Sequence, residues 1–80
     1  MLITKMYKVY GKDWCVYCDR AKTLLKSKSI DFVYYDIEKN DDARTWALES
    51  SGGQKSVPII FDEDGNHIGG FEELRKLLKD

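Results

Sequence analysis

Cysteine and proline are scarce in this chain: its 80 residues include two of the first and one of the second. Two cysteines are too few for a secreted scaffold that relies on several crosslinks. Cys15 and Cys18 also stand so near each other that a bond between them closes a loop too short to stabilise the fold through chain entropy. The pair is therefore read as chemistry rather than architecture. Charge of one sign is lacking as well. The 13 Lys and Arg against 14 Asp and Glu leave a formal net charge of −1, with no basic excess to meet phosphates, so nucleic acid is not an expected partner. Long hydrophobic runs are missing too. Met1-Leu2-Ile3-Thr4-Lys5 is broken by polar residues before a leader-length apolar stretch develops, and no later run approaches a membrane span. The expectation is a soluble, cytoplasmic protein with no membrane partner.

What remains is a globular balance, 42% hydrophobic and 34% charged residues, in a chain long enough for one core and hence for a single domain, residues 1–80. Gly and Ser cluster only at Ser50-Ser51-Gly52-Gly53, and there is no linker or repeat. Met6 to Tyr10 alternates and is rich in aromatic and β-branched residues, which predicts a first strand ending at Gly11. From Cys15 the period changes: Tyr17, Ala21, Leu24, Leu25 and Lys28 fall on one stripe of a helix over Cys15–Ser29. Ile30 to Ile37 reads as a second strand, parallel to the first across the helix. Asn40, Asp41 and Asp42 form a capping cluster for a short helix through Ala43, Trp46, Ala47 and Ser50, stopped by Gly52. Val57 to Phe61 is a compact apolar strand, and Asp62-Glu63-Asp64-Gly65-Asn66 a hairpin connection into His67-Ile68. A last helix places Phe71, Leu74, Leu77 and Leu78 on one face, with acids in its first turn and bases later. The order is β-α-β-α-β-β-α, an α/β fold. Trp46, Leu24, Leu25, Leu74 and Leu77 are assigned to the core.

Trp14-Cys15-Val16-Tyr17-Cys18 stands where the first strand hands over to the first helix. Residues at i and i+3 on a helix face the same way, at a separation that suits a reversible disulfide. Unpaired N–H groups at a helix N-terminus favour thiolate over thiol at the nearest cysteine. Cys15 is thus the expected exposed nucleophile and Cys18, one turn inward, the thiol that resolves the mixed disulfide. Lys12, three residues upstream, adds positive charge. A structural zinc site is the competing reading of the spacing, but zinc wants four ligands and only His67 remains to join the two thiols.

With these residues in view, the chain resembles a dithiol glutaredoxin of the thioredoxin superfamily, over nearly its whole length. Val9-Tyr10-Gly11-Lys12-Asp13-Trp14-Cys15-Val16-Tyr17-Cys18 resembles the family's first strand and active site. Ser56-Val57-Pro58 resembles its Thr-Val-Pro motif, and Gly69-Gly70-Phe71-Glu72-Glu73 the Gly-Gly-x-x-Asp stretch before the last helix. The resemblance implies a thioredoxin-like fold, a four-stranded mixed sheet flanked by three helices. It implies a glutathione-dependent thiol–disulfide oxidoreductase acting on protein disulfides and glutathione mixed disulfides, with no permanently bound cofactor. By the same resemblance Pro58 follows a cis bond and the backbone of Val57 pairs with the cysteinyl part of glutathione. Lys12 and Arg44 meet the glycyl carboxylate, and Tyr17 flanks the tripeptide. Gly70, Phe71 and Glu72 receive the γ-glutamyl end, the acid facing the ammonium being Glu72 or Glu73. Ribonucleotide reductase as substrate and a monomeric state are further implications. Val16 stands where the family has proline, which removes a constraint on φ.

Three other functions stay open at this point. His67-Ile68-Gly69-Gly70-Phe71 partly resembles the His-Trp-Ser-Gly-Phe stretch of redoxins that take electrons from thioredoxin reductase. A non-catalytic docking module with Trp14 and Tyr17 as contact aromatics would keep the same surface. An iron–sulfur cluster shared between two chains through Cys15 and glutathione is the third.

Overall fold

Alternation along two strands decides the layering. The computed structural model describes residues 6–79; the opening segment, residues 1–5, read above for a leader, lies outside them. Strand β1 (Tyr7–Gly11) sends Val9 to one face of the sheet and Tyr10 to the other, and β3 (Ile59–Phe61) does the same with Ile60 against Ile59 and Phe61. Successive side chains of a strand point to opposite faces, so a central strand buried on both sides reads as an unbroken apolar run. That is why Ile59-Ile60-Phe61 shows no alternation.

The remaining elements are α1 (Val16–Ser27), β2 (Phe32–Asp36), α2 (Asp41–Ser50), β4 (His67–Gly69) and α3 (Phe71–Leu77), giving the expected order. The sheet runs β2-β1-β3-β4, with β1 and β2 parallel and the β1–β3 and β3–β4 pairs antiparallel. One core lies between the sheet and α1 with α3, around Val9, Ala21, Leu24, Leu25, Ile60 and Leu74. A second lies beneath α2, around Tyr10, Ile37, Ala43, Ala47, Ile59 and Phe61. Two layers of helix on one mixed sheet place the β1–α1 turn at the carboxyl end of the central strand, where ligands of open α/β sheets commonly sit.

Local chemistry sets the boundaries. Asn40 caps α2 by accepting the Ala43 N–H at 3.0 Å, and Gly52 (φ 72) leaves that helix in the left-handed region that glycine adopts without strain. In the hairpin, the Asp62 carboxylate accepts the N–H groups of Asp64 and Asn66, both at 2.9 Å.

Three expectations about burial are corrected. The buried stripe of α1 is Cys18, Ala21, Leu24 and Leu25, while Tyr17 and Lys28 face outward; the stripe starts at the second cysteine. Leu77 is exposed, because α3 ends there and Leu78, at the C-cap, packs on the core instead. Trp46 is also partly exposed rather than core: its ring rests on Tyr10 and Phe61, with centroids 5.5 and 4.7 Å away. Its outer side meets the Lys8 ammonium at 5.0 Å.

Candidate active site

The turn from β1 into α1 is closed by the Cys15 N–H donating to the Lys12 carbonyl at 3.2 Å. Cys15 is the N-cap of α1, in extended conformation, and its Sγ accepts the Cys18 N–H at 3.1 Å. A sulfur thus does the work usually done by a Ser or Asp oxygen at this position. On its other side Cys15 Sγ stands 3.8 Å from the Val57 carbonyl oxygen, and the Val57–Pro58 bond is cis.

The expectation that Cys15 is exposed is corrected. It is only 7% exposed, because Sγ is folded back under the helix end; Trp14 (68%), Val16 (60%) and Tyr17 (50%) make the open surface around it. Cys18 is fully buried, and burial, first of all, pushes its thiol up to about 12, with the Cys15 sulfur adding to the effect. Both cysteines are free thiols. One sulfur is held by a donor at a helix end, the other is kept protonated in the core.

Lys12 and Arg44 come together. They line one cleft of about 560 Å³ with Ile37, Glu38, Asp41, Leu48, Lys55 and Ile59. Cys15 is not in its lining. The link is through the chain, since Lys12 precedes Cys15 by three residues and Lys55 precedes Val57 by two. Tyr17 and Phe71 lie side by side, ring centroids 6.0 Å apart, bringing the first turns of α1 and α3 together. Glu72 is turned along its own helix to Arg75, with Oε2 2.7 Å from Nη2. Glu73 reaches back to accept the Gly70 N–H at 2.8 Å, which holds its carboxyl below the usual glutamate value. Of the N–H groups expected to receive an anion there, that of Gly70 is therefore taken by the chain's own acid. The groups of Phe71 and Glu72 lie in the first turn, which no intrahelical carbonyl reaches.

Sequence reasoning missed Gln54, Glu38, Lys55 and Tyr34. Gln54 Nε2 donates to the carbonyls of Ser56 (2.9 Å) and Pro58 (3.0 Å), while its Oε1 meets His67 Nε2 at 2.6 Å. Trp14 Nε1 donates to Glu38 Oε1 at 3.0 Å, with the Lys12 ammonium 5.1 Å from the Trp14 ring centre. Lys55 adds a third cation to the cleft. The edge of the Tyr34 ring borders the point beside Gly11 that the Cys18 sulfur fills. Only Lys55, beside the Ser56-Val57-Pro58 motif, carried a sequence signal. His67, the one possible third zinc ligand, is engaged by Gln54 and the Phe61 ring. Among the described residues no group of three or more His, Cys, Asp or Glu is placed to hold a metal ion, and no helix is long and apolar enough to cross a membrane.

Comparison with known proteins gives the arrangement its family. Residues 7–68 match the family model described as glutaredoxin. The chain belongs to the glutaredoxin family. It is a thiol–disulfide oxidoreductase of thioredoxin-like fold. Glutaredoxin of Enterobacteria phage T4 is 41% identical, the match covering 92% of this chain and 100% of the relative. Glutaredoxin 3 of Escherichia coli K12 is likewise 41% identical over 88% of this chain and 82% of its own. Among solved structures, a buckwheat glutaredoxin–glutathione complex superposes with a TM-score of 0.79 at 26% identity, covering 95% of this chain and 70% of that one. The dithiolic glutaredoxin 2-C-Grx1 of Trypanosoma brucei brucei gives 0.77 at 30% identity, over 94% and 78%.

Proposed function

We propose that this glutaredoxin uses glutathione to reduce protein disulfides and glutathione mixed disulfides, with Cys15 as nucleophile and Cys18 as resolving thiol. The observation that carries the division of labour is the contrast between the two sulfurs. Cys15 Sγ accepts a backbone N–H at the mouth of α1, whereas Cys18 is sealed in the core with its proton held on. The Cys15 thiolate attacks one sulfur of the substrate disulfide, forming a mixed disulfide and releasing the other sulfur as thiolate, which takes a proton. Cys18 then gives up its proton and attacks Cys15 Sγ. The Cys15–Cys18 bond forms, the substrate sulfur leaves reduced, and two glutathione molecules reopen the disulfide while becoming oxidised glutathione.

Glutathione as reductant is supported by the charge and shape beside Cys15. Lys12, Arg44 and Lys55 supply three cations in one cleft, suited to the glycyl carboxylate. The Val57 backbone, ahead of the cis-Pro58, flanks the sulfur and can pair with the cysteinyl residue. Tyr17 and Phe71 form an aromatic wall for the tripeptide. The γ-glutamyl end falls to the N–H groups of Phe71 and Glu72 after Gly70, with the Glu72 carboxylate available to the ammonium once it leaves Arg75. The buckwheat relative, whose structure holds glutathione, agrees with this reading. Neither bound metal nor permanent cofactor enters it.

The test is a pair of substitutions in two assays. Cys15→Ser should abolish both protein-disulfide reduction and deglutathionylation, whereas Cys18→Ser should spare deglutathionylation driven by glutathione and its reductase. Equal losses in both variants would refute the roles. Turnover with thioredoxin reductase but none with glutathione would refute the reductant.

A further inference from the structure

Glutathione-dependent exchange leaves Trp14, Val16 and Arg20, which bracket Cys15 and the start of α1, without a part in the chemistry. Arg20 is not in the lining of the cleft that joins Lys12, Arg44 and Lys55. Trp14, Val16 and Tyr17 are nonetheless large apolar side chains left open to solvent on either side of Cys15. A lone exposed Leu77 needs no explanation, but apolar groups gathered around a nucleophile mark a surface made for contact.

Charge gives this surface a sign. The Lys12 ammonium lies 5.1 Å from the Trp14 ring centre, and the Arg20 guanidinium 5.2 Å from that of Tyr17. Among the described residues neither cation is paired with a carboxylate. The acids nearby are matched elsewhere: Asp13 with Lys39 at 3.0 Å, Asp19 with Lys22 at 3.5 Å, and Glu72 with Arg75 at 2.7 Å. Glu38 is held at the cleft edge of the Trp14 ring by the indole N–H. A guanidinium stacked on a ring keeps the donors at its rim, in a fork that fits a carboxylate.

We propose that this face docks the protein substrate through an acidic segment: apolar side chains beside the substrate disulfide rest on Trp14, Val16 and Tyr17, and carboxylates flanking it meet Lys12 and Arg20. The proposal names the substrate class of the exchange described above and rests on Cys15 being its nucleophile. Trp, Tyr and Arg are the residue types that most often dominate binding at interfaces. Charges at the rim of such a contact act chiefly on the rate of encounter and its salt dependence. Lys12 serves two occupants in turn. In the dithiol route the substrate leaves reduced before glutathione reopens the Cys15–Cys18 bond, so the ammonium meets a substrate carboxylate first and the glycyl carboxylate afterwards. Arg20 belongs to the protein substrate alone.

The test uses the full chain, reduced beforehand and freed of reductant, in single turnover against three disulfides. Two are peptides of equal length, each with one internal disulfide and a leucine beside it, flanked in one by two glutamates and in the other by two lysines. The third is uncharged bis(2-hydroxyethyl) disulfide. The acidic peptide should react roughly three- to tenfold faster than the basic one, the scale of two exposed ion pairs, and the gap should close as salt is added. Arg20→Gln should slow the acidic peptide roughly two- to fivefold, Arg20→Lys should keep most of its rate, and neither should alter the rate on the uncharged disulfide. Val16→Ser should slow both peptides alike. Equal rates on the two peptides, a faster basic peptide, or an Arg20→Gln loss that extends equally to the uncharged disulfide would overturn the proposal. A retained preference for the acidic peptide, with no turnover once glutathione and its reductase are supplied, would instead overturn the glutathione-dependent reading.

Discussion

Gly11 and Cys18 occupy one site between them: a Cβ on residue 11 would come 2.5 Å from the Cys18 sulfur, far inside contact distance. The absence of a side chain at the end of β1 is what lets the Cys18 thiol sink against the sheet. Gly11→Ala must therefore push Cys18 outward or bend the strand. Overpacking of this kind costs about 1–3 kcal/mol, visible as a lower denaturant midpoint of the reduced protein. Because the displaced group is Cys18, insulin reduction should suffer more than deglutathionylation. A parent-like midpoint would show that the sulfur has another rotamer to occupy.

The sealed Cys18 thiol also adds a pH dependence of stability that is confined to one redox state. Its ionisation lies near 9.0 in the unfolded chain and is pushed up to about 12 by burial in the folded one. A raised folded-state value stabilises fully below the unfolded value, and the contribution is lost as pH climbs through the interval, where the unfolded chain holds fewer protons. The reduced protein should thus lose this contribution from about pH 9 upward, while the oxidised protein, with no thiol to ionise, lacks that loss. Tyr10, pushed up to about 12 by burial, adds a loss of the same sign at higher pH in both states. The difference between denaturation curves of the two forms isolates the cysteine, and parallel curves would contradict its burial.

The element order and the parallel β1–β2 pair are legible because each rests on a local signal, a change of period and a βαβ spacing, whereas the cis bond at Pro58 followed from the family resemblance of Ser56-Val57-Pro58. Burial of Cys15 was not legible. A sulfur that caps its own helix folds inward, and nothing in Trp14-Cys15-Val16 distinguishes that from a protruding side chain. Gly11 was legible as the end of β1, where it pairs with Asp36, but not as a glycine needed for the sake of a residue seven positions on. Gln54 carried no signal at all, since its role arises only when the approach to β3 meets partners distant in sequence. Leu77 misled because apolar spacing continues past the point where α3 has neighbours to cover it.

Charge in the cleft yields a graded prediction. Lys12→Gln, Arg44→Gln and Lys55→Gln should each raise the KM for glutathione roughly two- to fivefold, the scale of exposed ion pairs, with the effect shrinking as salt is added. Glu38 lines the same cleft and is fixed by the Trp14 indole N–H, so its carboxylate opposes an incoming anion. Glu38→Gln should lower KM by a similar factor and leave kcat unchanged. Steady-state kinetics at two ionic strengths decide the matter; a rise in KM for Glu38→Gln would mean that the acid contacts a cationic part of the substrate.

Gln54 holds the backbone on which Cys15 rests, and its amide has only one workable orientation. Two carbonyls, those of Ser56 and Pro58, converge on one end, which must therefore be the NH₂, leaving the oxygen for His67. Gln54→Ala strips both carbonyls of their donor and should cost about 1–2 kcal/mol in a denaturant melt. Gln54→Glu should be worse although it is larger and closer in shape, because it sets an acceptor-only carboxylate against two carbonyl oxygens. Both variants shift the Val57 carbonyl relative to Cys15 Sγ, so both should slow insulin reduction and deglutathionylation together. That pattern separates a residue supporting the nucleophile from one serving Cys18, and a Gln54→Glu protein as stable as Gln54→Ala would show that the amide donor is not what holds the turn.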